Sequence, residues 1–138
     1  MKYIKNKDVI NKVSTKMNEA AEQRPHGGGI TLDPKDAKKA HISINGIYFQ
    51  GEGYRNIEHK NIFNDGCIKI CNKLSLDFVI DRWGTVNVDT EDVYIYFHPE
   101  QTVIKVKSDK VELGEIAPWV ANEISEFDLP ITVSYFYT

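Results

Sequence analysis

Residues 74–107 read LSLDFVIDRWGTVNVDTEDVYIYFHPEQTVIKVK, which is four short apolar or alternating runs separated by turn residues. The turns over 81–84, 89–92 and 99–101 are too short for a parallel crossover, which needs a dozen or more residues. The stretch therefore predicts four consecutive antiparallel strands at the centre of a sheet.

Alternation within these runs assigns their side chains to two faces, because successive residues of a strand point to opposite sides. One face is apolar and is predicted to form the core; it carries Leu76, Phe78, Ile80, Val86, Val88, Val93, Ile95 and Phe97. The other face carries Tyr94, Tyr96 and His98.

Helical patterns flank the strands on both sides. Residues 8–24 have apolar residues at three- and four-residue spacing, which predicts an amphipathic helix that Pro25 ends. Asp33-Pro34 is typical of a helix start and predicts a short helix over 33–40. Another helix is predicted around Pro118, which suits an early helical turn, and its apolar stripe consists of Ile116, Val120, Ile124 and Phe127. A strand over 131–138 follows it.

Asn45-Gly46 predicts a β-hairpin with a type I′ turn, because both turn positions of that type need positive φ. Such a turn would pair Ile44 with Ile47 and Ile42 with Phe49, and it would place all four side chains on one face.

Residues 51–71 are less regular. Residues 56–63 fit a short helix or an irregular edge strand, 64–66 fit a turn, and 67–71 fit a strand. On a strand Cys67 and Cys71 would lie on one face, roughly 13 Å apart, which is too far for a disulfide. We expect two reduced, mostly buried thiols.

Together these patterns predict an α+β fold with a mainly antiparallel sheet of about six to eight strands. An N-terminal amphipathic helix and a second helix before the last strand complete it, within a single domain over 1–138. No apolar run approaches the roughly 20 residues that cross a bilayer, and the N-terminus lacks a secretory apolar region. With two cysteines only, we expect a cytoplasmic protein and no membrane partner.

Charge is distributed unevenly along the chain. Residues 1–73 hold 13 Lys and Arg against 8 Asp and Glu, whereas residues 74–138 hold 4 against 12. This asymmetry is typical of solvated faces, and it also permits homo-oligomers held by opposite charges. The basic half lacks a dense Lys/Arg stripe, so we expect no DNA binding.

Motifs for catalysis are incomplete. His26-Gly27-Gly28-Gly29 is similar to the oxyanion loop of lipases and esterases, but no serine lies in a G-x-S-x-G elbow. The same amides, with Arg24 and His26 beside them, could instead bind a phosphate. No metal-ligand spacing accompanies the two cysteines. The sequence therefore predicts no catalytic residues, no metal site and no cofactor, which leaves a small hydrolase as a minor alternative.

The aromatic side of the central strands is the main candidate binding surface. Tyr94, Tyr96 and His98, joined by Arg82 and Trp83 of the neighbouring turn, have the composition of binding hot spots. The alternative is that a helix covers this side and makes the two tyrosines a second core layer. We therefore expect a non-enzymatic binding or inhibitor protein for a macromolecule, most simply a protein, of the toxin-immunity or phage counter-defence type. The alternative is a binder of a phosphorylated nucleotide through Arg24, the glycine amides and the aromatics.

Overall fold

The computed structural model of the chain describes residues 32–138, and the helix expected over 8–24 lies outside these residues. Within 32–138 there are two helices, α1 over Ile57–Lys73 and α2 over Leu113–Ser125. The strands of this part are β1 Lys39–Asn45, β2 Tyr48–Phe49, β3 Gly53–Tyr54, β4 Val79–Ile80, β5 Val86–Asp89, β6 Val93–Tyr96, β7 Gln101–Val106 and β8 Thr132–Tyr137. The predicted α+β class is confirmed, as is the helix before the last strand.

Six of the strands form one antiparallel sheet in the order β4-β5-β6-β7-β1-β8, while β2 and β3 form a separate pair. The predicted meander is confirmed, because β4 to β7 each pair with the next strand along the chain. β1 lies between β7 and β8, so that Ile42 faces Thr102 on one side and Tyr135 on the other.

Both helices cover the same face of this sheet. α2 packs on β8, β1 and β7, and α1 packs on β5. The core lies between these layers, and the predicted inward residues of β5 and β6 are fully buried: Val86, Val88, Val93, Ile95 and Phe97. Ile80 was expected in this core but is 55% exposed, because β4 is an edge strand that the helices do not cover. Phe78, which precedes β4, is half-buried and packs against the core.

The prediction of a turn over 64–66 and a strand over 67–71 was wrong, because both segments belong to α1. Asn56 caps the helix by accepting a hydrogen bond from the Glu58 amide at 2.8 Å. At the other end Ser75 has φ +56°, and its amide and that of Leu76 donate to carbonyls of the last helical turn. This is the hydrogen-bond pattern of a Schellman cap.

Cys67 and Cys71 are consequently one helical turn apart and not at strand spacing. Both are free and fully buried on the apolar stripe of α1, as expected of structural thiols. Burial raises the pKa of the Cys71 thiol to about 12 and that of Cys67 well above its ordinary value. Both sulfurs are therefore protonated at neutral pH, and they act as small apolar groups.

Gly66 lies inside α1, where glycine is unfavourable, because the ring of Phe127 occupies the space of a side chain. A Cβ at this position would stand 2.4 Å from Cζ of Phe127. The ring also makes an edge contact with Phe63, with 5.9 Å between the two ring centroids. This glycine is thus a packing residue between α1 and the segment that follows α2.

The type I′ hairpin predicted at Asn45-Gly46 is also wrong. Gly46 has φ +131°, but Asn45 is not among the residues with positive φ, and β1 pairs with β7 and β8 instead of β2. A Cβ on Gly46 would stand 2.2 Å from the carbonyl oxygen of Pro130. Glycine is therefore required here by a close approach of two backbone segments.

The helix expected over 33–40 is a single turn. The amides of Asp36 and Ala37 donate to the Asp33 carbonyl at 2.9 and 3.0 Å, and then the chain enters β1 at Lys39. The amides of Lys38 and Lys39 both donate to the carbonyl of Thr138, so their hydrogen bonds go to the last strand of the sheet and the helix does not continue.

α2 begins five residues before Pro118, which places the proline in the second turn of the helix. Proline lacks the amide that would donate to the carbonyl four residues back, at Gly114. The apolar stripe that predicted this helix is buried as expected at Ile116, Val120 and Ile124.

Candidate functional site

The sheet face opposite α1 and α2, here called the outer face, carries one continuous row of directly paired side chains. In strand order from β4 to β8 the row consists of Val79, Asn87, Tyr96, Val103, His41 and Phe136. With strands about 4.8 Å apart, the row is about 24 Å long. Val79 is 65% exposed, and the other five members are half-buried. Each of the six strands thus contributes one residue to a mixed aromatic and aliphatic surface.

At the centre of the outer face, Tyr96 belongs to an aromatic cluster with His98 and Tyr48. The ring centroids of Tyr96 and His98 are 5.9 Å apart, and Tyr48 meets His98 in an edge contact at 4.7 Å. Tyr48 also makes an edge contact with Tyr54 of the β2–β3 pair at 5.5 Å. The small sheet therefore borders one end of the outer face and holds the imidazole between two phenol rings.

His98 is held in one tautomer by its own turn. The Glu100 amide donates to His98 Nδ1 at 3.1 Å, so that Nδ1 is an acceptor and the proton of the neutral ring is on Nε2. Thr102 Oγ1 donates to the His98 carbonyl at 3.1 Å and stiffens the same turn. Burial lowers the pKa of His98, and the nearby Glu100 carboxylate opposes this effect only in part. His98 is therefore neutral at pH 7 and offers a hydrogen-bond donor at Nε2.

At the β8 end of the row, His41 stacks on Phe136 with ring centroids 4.8 Å apart and an interplanar angle of 10°. Its two ring nitrogens lie 3.2 Å from Gln101 Oε1 and 2.9 Å from Thr138 Oγ1. Both nitrogens are thus engaged within the fold, so this pair offers a flat aromatic surface and not a free imidazole.

At the β4 end the row meets the turn that carries Arg82 and Trp83. Asp81 organises this turn: Oδ1 accepts from the amides of Trp83 and Thr85 at 2.9 and 3.0 Å. Oδ2 accepts from the side chain of Asn87, a member of the row, at 3.1 Å. These hydrogen bonds, led by the Thr85 amide, lower the pKa of Asp81. The carboxylate is therefore structural.

The tip of this turn is exposed. The guanidinium of Arg82 lies over the Trp83 ring, with 4.3 Å between Cζ and the ring centroid. Trp83 is 67% exposed, which is unusual for the largest apolar side chain. Arg82 and Trp83 together form an exposed, preorganised contact at the tip of this turn.

A second row lies two residues further along the strands and consists of Asp89, Tyr94, Lys105 and Lys39. Asp89 is already paired with the ammonium group of Lys107. Tyr94 is half-buried, and both other lysines are exposed. The second row therefore adds positive charge along one side of the aromatic surface.

The remaining features of residues 32–138 are away from this surface. A cleft of about 410 Å³ lies between α1 and the end of α2, where Lys73 forms an ion pair with Glu123 at 2.7 Å. The described residues contain no group of three or more His, Cys, Asp or Glu side chains placed to hold a metal ion. Neither α1 nor α2 is long and apolar enough to span a bilayer.

Of the predicted site residues, Tyr94, Tyr96 and His98 lie together on the outer face. Arg82 and Trp83 lie in the turn between β4 and β5. Arg24 and His26 lie outside the described residues. Sequence reasoning missed the other five members of the row, which are Val79, Asn87, Val103, His41 and Phe136. Val79, Asn87 and Val103 belong to strands joined by local hairpins, so alternation along these strands could have found them. His41 and Phe136 carried no local signal, because the strands that pair with β1 are distant from it in sequence.

Comparisons of the chain with protein-family models, with curated proteins and with solved structures find no match.

Proposed function

We propose that this chain is a non-enzymatic binding protein of the inhibitor kind, which docks a protein partner on its outer face. The observation that carries this proposal is the row of six paired side chains across the whole sheet, on the side that α1 and α2 leave uncovered. Continuous apolar and aromatic surface on one side of a folded domain marks interaction sites more often than it occurs by chance.

The composition of the outer face and of the turn between β4 and β5 favours a protein surface as the ligand. The face carries two tyrosines, and the turn carries Arg82 and Trp83. Tyrosine, tryptophan and arginine dominate binding hot spots because they bury a large area and keep a polar tip. Val103 lies at the centre of the row and Val79 at its end, and aliphatic side chains of this kind pack well against those of another protein.

The dimensions of the outer face are those of a large part of a protein–protein interface. The face measures about 24 Å across the strands and about 20 Å along β7, from a rise of about 3.3 Å per residue. The exposed Arg82 and Trp83 at one edge and the β2–β3 pair at another extend it. The product of these two lengths, at most about 480 Å², is somewhat more than half of the roughly 800 Å² per partner that a standard protein–protein interface buries, so the partner would also contact these edges.

The phosphorylated-nucleotide alternative rests on Arg24, His26 and the adjacent glycine amides, which lie outside residues 32–138. A thermal-shift screen with nucleotides separates the two functions. A ligand at 100 times its Kd would raise the stability by about 2.7 kcal/mol, and such a shift would favour the nucleotide over the protein partner.

The direct test replaces Val103, at the centre of the outer face, with a photo-crosslinking residue. The variant is expressed in the source cells, and the crosslinked protein is identified by mass spectrometry. A matched variant carries the crosslinker at Ile57, which is 67% exposed and lies on α1. We expect a specific crosslinked protein from position 103 and none from position 57.

The identified protein is then purified, and its affinity is measured by calorimetry. Tyr94→Ala with Tyr96→Ala should weaken binding by about 30-fold or more, as loss of a hot spot worth about 2 kcal/mol requires. Val79→Asp, at an exposed position with little cost to folding, should also weaken it. The control Ile57→Ala with Ile80→Ala removes comparable exposed apolar surface from other faces and should bind normally. Equal affinity of Val79→Asp and the control would refute the proposal.

A further inference from the structure

The second row of the outer face contains an arrangement that the fold does not explain. Lys39 on β1 and Lys105 on β7 are directly paired across the strands, and both are exposed. Like charges at directly opposite positions of a sheet destabilise the pair. A positively charged pair at this place in the sheet therefore costs stability unless something outside the fold compensates it.

Neither Lys39 nor Lys105 forms an ion pair in residues 32–138. The nearest acid of the row is Asp89, on the far side of Tyr94, and its carboxylate is occupied by Lys107. The result is a local positive patch beside Tyr94, on a part of the chain that is otherwise acidic.

We infer that the lysine pair and Tyr94 form a subsite for acidic side chains of the protein partner. This inference rests on the proposed function and adds the chemistry of the partner's contacting surface. Two ammonium groups facing the same way are complementary to a pair of carboxylates, and the phenol of Tyr94 beside them can donate a further hydrogen bond. The repulsion between the two lysines is relieved only in the complex, which makes this subsite selective for acidic surfaces.

The charge of the whole domain favours an acidic protein over a nucleic acid. The full chain holds 17 Lys and Arg against 20 Asp and Glu, a net charge of −3, and residues 32–138 alone hold 11 against 17, a net charge of −6. A long polyanion is repelled by such a domain, because nucleic-acid affinity depends on many phosphate contacts with a basic surface. An acidic patch on a protein needs only the local field of the lysine pair, since more distant charges are screened beyond about 8 Å at physiological ionic strength.

The experiment measures binding of a short fluorescein-labelled peptide of alternating glutamate and leucine by anisotropy. Lys39→Gln with Lys105→Gln removes the patch. A control with the same change of net charge is Lys35→Gln with Lys110→Gln, because both of these lysines are exposed and lie outside the two rows. We expect the Kd of the patch variant to rise on the order of tenfold, as two exposed ion pairs allow, and the control to be unchanged.

Salt and competing ligands complete the test. Raising the ionic strength should weaken peptide binding to the wild type and the control but not to the patch variant. Equal affinity of all three proteins, or no binding of the peptide to the wild type, would overturn the inference. Tighter binding of a single-stranded oligouridylate than of the peptide would also overturn the inference, because the occupant would then be an RNA. A salt-sensitive self-association that the patch variant abolishes would overturn it as well, because the occupant would then be a second copy of the chain. If the native partner still crosslinks at position 103 in these cases, the proposed function stands and only the acidic subsite fails.

Discussion

Replacing Gly66 with alanine tests the packing of α1 against the segment that follows α2. The new Cβ would stand 2.4, 2.5 and 2.8 Å from three carbons of the Phe127 ring, whereas unstrained carbon contacts are about 3.5–4.0 Å. The ring must therefore retreat by about 1 Å. Such a shift disturbs its edge contact with Phe63, which is fully buried.

Two opposing effects decide the outcome. Alanine in place of glycine inside a helix stabilises by about 1 kcal/mol, while forcing an extra carbon into a packed site costs about 1–3 kcal/mol. We expect net destabilisation of about 1 kcal/mol, or a fall in Tm of about 3–8 °C. In a Phe127→Ala background the ring is absent, and the same substitution should instead stabilise by about 1 kcal/mol.

The four proteins to compare are the wild type, Gly66→Ala, Phe127→Ala and the double variant. Urea unfolding followed by circular dichroism measures whether Gly66→Ala lowers the free energy of unfolding when Phe127 is present and raises it when Phe127 is absent. Asn61→Ala is the control, because Asn61 is exposed on the same helix and away from Phe127. It should raise the free energy of unfolding by a similar amount in both backgrounds. If Gly66→Ala stabilises the wild type, or shifts both backgrounds equally, the packing described for α1 is wrong.

Two further predictions concern the turns. Gly46→Ala should lower the free energy of unfolding by about 3 kcal/mol or more, because the Cβ would meet the Pro130 carbonyl oxygen at 2.2 Å. The control is Gly51→Ala, because Gly51 has φ +86° but open space around it. This control should lower the free energy of unfolding by only about 1–2 kcal/mol. Equal losses in chemical denaturation would contradict the close approach at Gly46. Burial lowers the pKa of His98 in the folded state, so the unfolded chain binds the proton more readily. The free energy of unfolding should therefore fall as the pH drops below 6.5, the ordinary pKa of histidine, and on through the lower pKa of the folded state. His98→Asn keeps an acceptor for the Glu100 amide and should remove this part of the pH dependence; identical pH profiles of variant and wild type would show that His98 does not titrate as described.

The meander of β4 to β7 could be predicted from the sequence because each of its hairpins is a local unit. The Asp81 turn, for example, is closed by hydrogen bonds to amides two and four residues away. The alternation of β5 and β6 then gave the buried face correctly at Val88 and Ile95. Information for these elements lies within a few residues of each turn, where a sequence pattern is most reliable.

The two errors with glycine have a common cause. Asn45-Gly46 and Asp65-Gly66 are both typical of turns, yet one glycine faces the backbone of Pro130 and the other faces the Phe127 ring. Each contacting residue is more than 60 positions away along the chain. A sequence pattern records that glycine is present, but it does not record the distant segment that approaches the glycine. At Gly46 the close approach accompanies a positive φ, whereas Gly66 lies inside a helix and only the approach of the Phe127 ring accounts for it.

The candidate site could be predicted only in part for the same reason, because its residues come from strands that are distant in sequence. Alternation placed Tyr94 and Tyr96 opposite the core, but it could not decide whether a helix covers them. Whether a helix covers the tyrosines depends on the position of β1 in the sheet. Because β1 lies between β7 and β8, α2 packs on the core side of all three strands. The same strand order brings His41 and Phe136 into the row of Tyr96. The order of the strands, which is set by contacts between distant residues, thus turns two isolated tyrosines into one surface six strands wide.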